Sequence, residues 1–134
     1  MNHYLVIAHR TAASPDLTDC LSRLVRADPY AAITLLDVVP AQLPGDPRVS
    51  AVTGDLGDTA LLERALPRDT DTVFHLAAVV SGQAEAEFDT GMRVNLDGTR
   101  AVLERCRALA APPKVVFTSS LAVFGGPLPD PVVF

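Results

Sequence analysis

The sequence lacks the features that would place it in a membrane, outside the cell or on nucleic acid. Its 134 residues contain no apolar run near the ~20 residues of a membrane span. The N-terminus has no basic start, long apolar core and small-residue cleavage site of a signal peptide. Only 11 Lys and Arg stand against 16 Asp and Glu, so the net charge is −5. We therefore predict a cytoplasmic protein with no nucleic-acid or membrane partner.

Cysteine is scarce as well. Cys20 and Cys106 are far apart, and each lies in a helical pattern. Because no secretory signal precedes them, we predict free, half-buried thiols rather than a disulfide. No second His or Cys stands at ligand spacing from His75, so we predict no metal site.

Apolar runs alternate with helical patterns along the chain, with 49% hydrophobic residues overall. Strands buried on both faces and separated by helices are typical of a parallel sheet. The pattern predicts a single α/β domain over residues 1–125, doubly wound and Rossmann-like, with strand order 3-2-1-4-5 and a proline-rich tail over 126–134. The predicted strands are Tyr4–Ala8, Ala31–Val39, Val49–Val52, Thr72–Leu76 and Lys114–Phe117. The first predicted helix has Ser14 as its N-cap and Pro15 at its first position. The other helical patterns cover Thr59–Leu66 and Glu85–Leu109, the latter as one helix or two abutting ones.

Two acidic residues follow predicted strands. Asp37 ends the second strand, where a carboxylate can accept hydrogen bonds from the adenosine ribose and favour NAD over NADP. The alternative is a solvated acid. Asp55, after the third strand, is a candidate partner of the adenine amino group, with Leu56 against the ring. The alternative is a turn, because Gly-Asp is common turn chemistry.

Three further features follow later strands. Ala77 and Ala78 are small enough for a cofactor to lie against the backbone, although tight packing would also require small residues. Asn95 is a poor interior helix residue, which indicates bonding to backbone or water near an active site, or a solvated side chain. Ser120 follows the fifth strand and is a candidate hydrogen-bonding partner of a substrate oxygen, or a cap or turn serine. No Gly-x-Ser-x-Gly elbow surrounds it.

These residues, taken in order, resemble the extended short-chain dehydrogenase/reductase superfamily, the NAD-dependent epimerases and dehydratases, over residues 33–129. The matching segments are Asp37, Gly54–Leu56, His75–Ala78, Asn95 with Gly98–Thr99, and Thr118–Ser120 with Val123–Gly125. Segments 79–85 and 120–126 look like the branch of D-erythronate dehydrogenases, which oxidise sugar acids. The resemblance implies that Asp37, Asp55, Leu56, Ala77 and Ala78 bind NAD. It also implies that Ser120 and Asn95 belong to the catalytic site.

Two departures from that family stand out. The family has a glycine-rich turn after the first strand, but residues 8–16 contain no glycine, and Asp16 and Asp19 would repel phosphate at the helix start. Compensation by a salt link from Arg10 is the alternative. The family's Tyr-x-x-x-Lys pair is also absent, since neither Tyr4 nor Tyr30 precedes a Lys by four residues and Lys114 is the only lysine.

The sequence as a whole predicts a truncated or rearranged NAD-binding domain of a sugar-acid dehydrogenase or sugar-nucleotide epimerase, catalytically incompetent alone and binding NAD weakly. The first thirty residues faintly resemble universal-stress-like α/β domains, which suggests a chimera. The alternative is a non-enzymatic interaction module, or a chimeric fold without nucleotide binding, that self-associates as a homodimer. Exposed strand edges and apolar termini favour such association.

Overall fold

A computed structural model describes residues 2–120 of the chain. Within that range a parallel sheet has the order β3-β2-β1-β4-β5, which confirms the predicted topology. The strands are β1 (Asn2–Ile7), β2 (Ala31–Asp37), β3 (Val49–Thr53), β4 (Thr72–His75) and β5 (Lys114–Phe117). The predicted proline-rich tail, 126–134, lies outside the described residues.

Helices cover both faces of the sheet. They are α1 (Pro15–Ala27), α2 (Thr59–Ala65), α3 (Ser81–Ala86), α4 (Phe88–Gly91) and α5 (Thr99–Arg107), with a π-helical segment, Met92–Gly98, between α4 and α5. Side chains along β2 point alternately to the two faces of the sheet and so enter two hydrophobic cores. Leu35 packs with the buried residues of α1, and Leu36 packs with those of α2 and α5. Both leucines are fully buried.

The N-termini of α1 and α2 differ in how their free N–H groups are satisfied. Ser14 has the extended backbone of an N-cap and Pro15 follows it, as predicted, but the Ser14 side chain makes no capping hydrogen bond. Asp58 caps α2 with its side chain, since its Oδ1 accepts from the N–H of Ala60 at 3.0 Å and of Leu61 at 3.1 Å.

The helical structure predicted over Glu85–Leu109 begins earlier in the structure, at Ser81. The break at Glu87 agrees with two abutting helices rather than one, and the second of these includes a π-helical segment that the sequence did not predict. Gly91 explains the close approach of α3 and α4, because a Cβ there would lie 2.8 Å from the Ala84 Cβ. Apolar spacing signalled a helix but carried no information about its breaks.

The two cysteines are free, as predicted, but they are not half-buried. Cys20 is exposed on α1, whereas Cys106 lies in the core and is 4% exposed. Burial raises the pKa of the Cys106 thiol. Among residues 2–120, no helix combines the length and apolar character that crossing a bilayer requires.

Candidate nucleotide-binding site

All five strands are parallel, so their carboxyl ends meet at one edge of the sheet. We define this carboxyl edge by the residues that end or follow the strands: His9–Ala12, Asp37, Gly54–Leu56, Leu76–Ala78 and Thr118–Ser120. The chain changes winding direction between β1 and β4, and open α/β sheets bind ligands at such a switch point. The fold therefore brings the predicted cofactor residues to the edge at which open α/β sheets generally bind ligands.

Asp37 is not the solvated acid of the alternative interpretation. It is 2% exposed, and its carboxylate accepts hydrogen bonds from the loop between β1 and α1. Oδ1 accepts from the N–H of Arg10 at 2.7 Å, and Oδ2 accepts from the N–H of Thr11 and of Ala12, each at 2.9 Å. The Val39 N–H adds a fourth bond, to Oδ1 at 3.2 Å. The prediction that Asp37 binds ribose stays a prediction.

Asp55 forms the turn that the sequence left open. Its Oδ1 accepts from the Gly57 N–H at 2.8 Å, and its Oδ2 lies 3.4 Å from Nη1 of Arg93. The Asp55 side chain is still 40% exposed, so the turn leaves part of the carboxylate accessible. Arg93 is a neighbour that sequence reasoning missed, because it lies on a separate element and no local pattern marks it.

Leu56 points into the core rather than outward. It is 6% exposed, and its Cβ lies 3.2 Å from the place that a Cβ on Gly98 would occupy. Gly98 thus allows a close contact between its helical segment and Leu56. Stacking of Leu56 on adenine stays a prediction.

His75 ends β4 beneath the carboxyl edge. Its Nε2 shares a 2.8 Å hydrogen bond with Oγ1 of Thr99, and its ring meets Phe117 edge-on at 5.5 Å. Its Nδ1 is buried without a hydrogen-bond partner, and burial lowers the pKa of the imidazole. His75 is therefore a buried side chain that joins β4 to α5 through Thr99. Beyond it, Ala77 is buried and Ala78 is exposed at the edge.

Asn95 bonds to backbone, as one of its two interpretations predicted. Its Oδ1 accepts from the Val79 N–H and its Nδ2 donates to the Val79 carbonyl, both at 2.8 Å. The π-helical segment carries Asn95, and π-turns often occur at functional sites. This pair of bonds fixes the chain after β4, close to Ala77 and Ala78.

Ser120 follows β5 and is exposed at the carboxyl edge. The chain before it is tied to β4, because the Thr118 N–H donates to the His75 carbonyl at 3.2 Å. The matching segment Val123–Gly125 lies outside the described residues. The structure thus brings Ser120 to the edge that holds Asp37 and Asp55, while Asn95 lies in the helical layer.

The chain between β1 and α1 contains a partly buried histidine, His9, that is surrounded by charged side chains. His9 lies beside Asp37, Asp55, Arg10 and Arg93, and burial, the largest effect, lowers the pKa of its imidazole. Its Nε2 is buried without a hydrogen-bond partner. Over residues 2–120, no group of three or more His, Cys, Asp or Glu side chains is arranged to hold a metal ion.

A sequence model described as the 3-beta hydroxysteroid dehydrogenase/isomerase family matches residues 19–133. The chain belongs to this family. Individual proteins are also similar to this chain. D-erythronate dehydrogenase of Cupriavidus necator is 65% identical over 101 residues, which are 75% of this chain and 31% of that protein. D-erythronate dehydrogenase of Haemophilus influenzae is 40% identical over 102 residues, 75% of this chain and 32% of that protein. The chain thus spans about a third of the length of these relatives.

Solved structures of related enzymes confirm the fold of this 3-beta hydroxysteroid dehydrogenase/isomerase family member. A nucleoside-diphosphate-sugar epimerase from Agrobacterium tumefaciens is 37% identical with a TM-score of 0.75, covering 96% of this chain and 40% of that one. UDP-glucose 4-epimerase from Brucella ovis, in complex with NAD, is 25% identical with a TM-score of 0.75. The match covers 98% of this chain and 40% of that one. The predicted superfamily resemblance is confirmed, and the structural match extends into the segment before residue 19.

Proposed function

We propose that the chain is the nucleotide-binding part of an NAD-dependent dehydrogenase of the D-erythronate type. The observation that carries this proposal is the 65% identity over 101 residues to D-erythronate dehydrogenase of Cupriavidus necator. The position of Asp55 at the carboxyl edge supports it, since it lies where a doubly wound sheet receives a dinucleotide.

The residues of this edge differ in whether they are free to contact an adenine nucleotide. Asp55 fits, because its partly exposed carboxylate can accept from an adenine amino group, and Ala78 leaves room beside the backbone. Asp37 does not fit the ribose in this conformation, because four backbone N–H groups already occupy its oxygens. When bound, NAD would supply hydride acceptance from a substrate alcohol.

The remaining two candidates have different tasks in this proposal. Ser120 would hold a substrate oxygen by hydrogen bonding. Asn95 would keep the chain after β4 in place through Val79, which makes it a positioning residue. The sequence offers one lysine and no Tyr-x-x-x-Lys pair, so the chain alone would not turn over sugar acids.

Calorimetric titration with NAD tests the binding proposal. We expect saturable binding that Asp55→Ala weakens about tenfold, in line with the loss of a hydrogen bond to a charged acceptor. Asp69→Ala is the matched control, because Asp69 precedes β4 at the opposite end of the sheet and its side chain is 77% exposed. No binding at millimolar NAD, or equal weakening by both variants, would contradict the proposal.

A separate assay tests catalytic incompetence. The purified chain, incubated with NAD and D-erythronate, should form no NADH above the blank reaction. NADH formation that Ser120→Ala abolishes would overturn this expectation.

A second candidate function is self-association through exposed apolar side chains. Phe88, Met92, Leu96 and Leu103, which we call the helical apolar stripe, are 67%, 41%, 53% and 48% exposed. Contiguous exposed apolar surface favours association. Light scattering should give a concentration-dependent mass that Leu96→Ser abolishes. Tyr30→Ser, at a 71% exposed side chain outside the stripe, should leave that mass unchanged. A constant monomer mass would exclude this candidate.

A further inference from the structure

The Asp37 carboxylate is saturated by the protein itself. An ionised carboxylate offers about four acceptor positions, and the N–H groups of Arg10, Thr11, Ala12 and Val39 donate to this one. At 2% exposure, the side chain leaves almost no surface for another donor. In place of a ligand, Asp37 holds the chain that follows β1.

The segment Arg10–Ala12 has a conformation that depends on this anchor. Arg10 has a φ of 57°, a left-handed backbone conformation that residues with a side chain adopt at a cost. Such conformations persist where neighbouring contacts determine them. Arg10 is also the first of the three consecutive residues whose N–H groups donate hydrogen bonds to Asp37.

A second attachment holds the same segment from its other end. The Ala12 side chain is fully buried, and its carbonyl accepts from the Gln42 N–H at 3.0 Å. Gln42 lies between β2 and β3, so the segment is tied to both the end of β2 and the connection beyond it. Ala12 is therefore held both by its N–H bond to Asp37 and by its carbonyl bond to Gln42.

We propose that the segment Arg10–Ala12 is an internal lock on Asp37, and that a nucleotide ribose reaches this carboxylate only when the lock opens. This rests on the proposed function, because the ribose is that of the NAD proposed above. Ribose hydroxyls are donors and need the lone pairs that the three N–H groups use, so the two occupants exclude each other. Only molecules whose lock is open can bind in this way, so the apparent Kd for NAD equals the intrinsic Kd divided by the open fraction.

Amide hydrogen exchange of the wild-type chain tests the competition without any substitution. In the free protein, the N–H groups of Arg10, Thr11 and Ala12 should exchange slowly. At a NAD concentration that calorimetry shows to be saturating, they should exchange faster, while the Leu35 N–H inside β2 stays as slow as before. Unchanged or slower exchange of the three groups at saturation would overturn the lock.

Thr11→Pro gives an independent test with a matched control. Proline removes one N–H donor to Asp37 and disfavours the conformation of the preceding residue, while Asp37 itself remains. Thr11 is exposed, so the core is unaffected. Thr11→Ser keeps the N–H. We expect Thr11→Pro to bind NAD about tenfold more tightly than wild type, and Thr11→Ser to match wild type.

The outcomes separate the two proposals. NAD binding by wild type that is no weaker than binding by a folded Thr11→Pro variant overturns the lock alone. Absence of NAD binding by all three proteins overturns both the lock and the proposed function. If Thr11→Pro fails to fold, as judged by circular dichroism, the exchange experiment on the wild-type chain decides.

Discussion

His75 makes the stability of the protein depend on pH. The imidazole is 1% exposed, and burial lowers its pKa in the folded state. As the pH falls below about 6.5, the unfolded chain takes up this proton first, so stability is lost between that pH and the lower folded-state pKa. We expect a loss of at most about 1.4 kcal/mol per pH unit from this one group.

The measurement for His75 is urea unfolding across this pH range. His75→Gln should make the decline in the free energy of unfolding shallower, since glutamine does not titrate. Some slope should remain, because burial also lowers the pKa of His9. Equal slopes for wild type and His75→Gln would contradict the prediction.

Gly54 is required by its surroundings. A Cβ at this position would overlap Cδ1 of Leu61, whose side chain is buried in the core at 5% exposure. Gly54→Ala should therefore lower the free energy of unfolding by about 1 to 3 kcal/mol, the usual cost of overpacking. Gly82→Ala is the control, because nothing lies within 4 Å of a Cβ there. Thermal unfolding of both variants checks this, and equal melting temperatures would exclude the steric explanation.

Among the elements, the π-helical segment Met92–Gly98 stabilises the chain after β4 through Asn95. Asn95→Ala would leave the N–H and carbonyl of Val79 without their partners, and Val79 is only 3% exposed. We expect a loss of about 1 to 3 kcal/mol of stability and faster amide exchange at Val79. Asn95→Asp should not rescue it, because an oxygen would then face the Val79 carbonyl.

Asp97→Ala is the control for this element. Asp97 belongs to the same π-helical segment and is exposed. Its replacement should leave the Val79 amide exchange unchanged. If Asp97→Ala accelerates that exchange as much as Asn95→Ala does, the effect belongs to the helix and not to the Asn95 bonds.

At the scale of the whole molecule, the two hydrophobic cores lie on opposite faces of one sheet. A destabilising substitution in either core should therefore lower the stability of the whole domain. Leu35 and Leu36 are adjacent, fully buried and on opposite faces of β2. Each substitution by alanine should cost about 2 to 5 kcal/mol, and unfolding should remain a single transition. Leu103→Ala, at a side chain 48% exposed, should cost much less.

Coincident transitions by circular dichroism and by amide exchange would support a single cooperative unit. If Leu35→Ala released only α1, while the α2 and α5 side kept its wild-type stability, the two faces would be independent. Such a result would contradict the expected coupling through β2.

The order of the strands was predictable from the sequence because it rests on local and general rules. Buried strands alternating with helices require crossover connections, and their handedness leaves few topologies. Positions after strand ends then identified Asp37, Asp55, Ala78 and Ser120 as edge residues without any coordinates. Within Glu85–Leu109 the choice between one helix and two abutting ones stayed open, because apolar periodicity does not distinguish a continuous helix from one interrupted at Glu87.

The sequence by itself determined the sheet, its carboxyl edge and the family, because these follow from patterns of neighbouring residues. Only the tertiary structure decided what each polar side chain contacts. Asp37 meets the N–H groups of Arg10 and Thr11, and Asn95 meets Val79, across stretches of chain that no spacing rule connects. Hydrogen bonds form over about 3 Å, so the partners of a side chain depend on how distant segments pack.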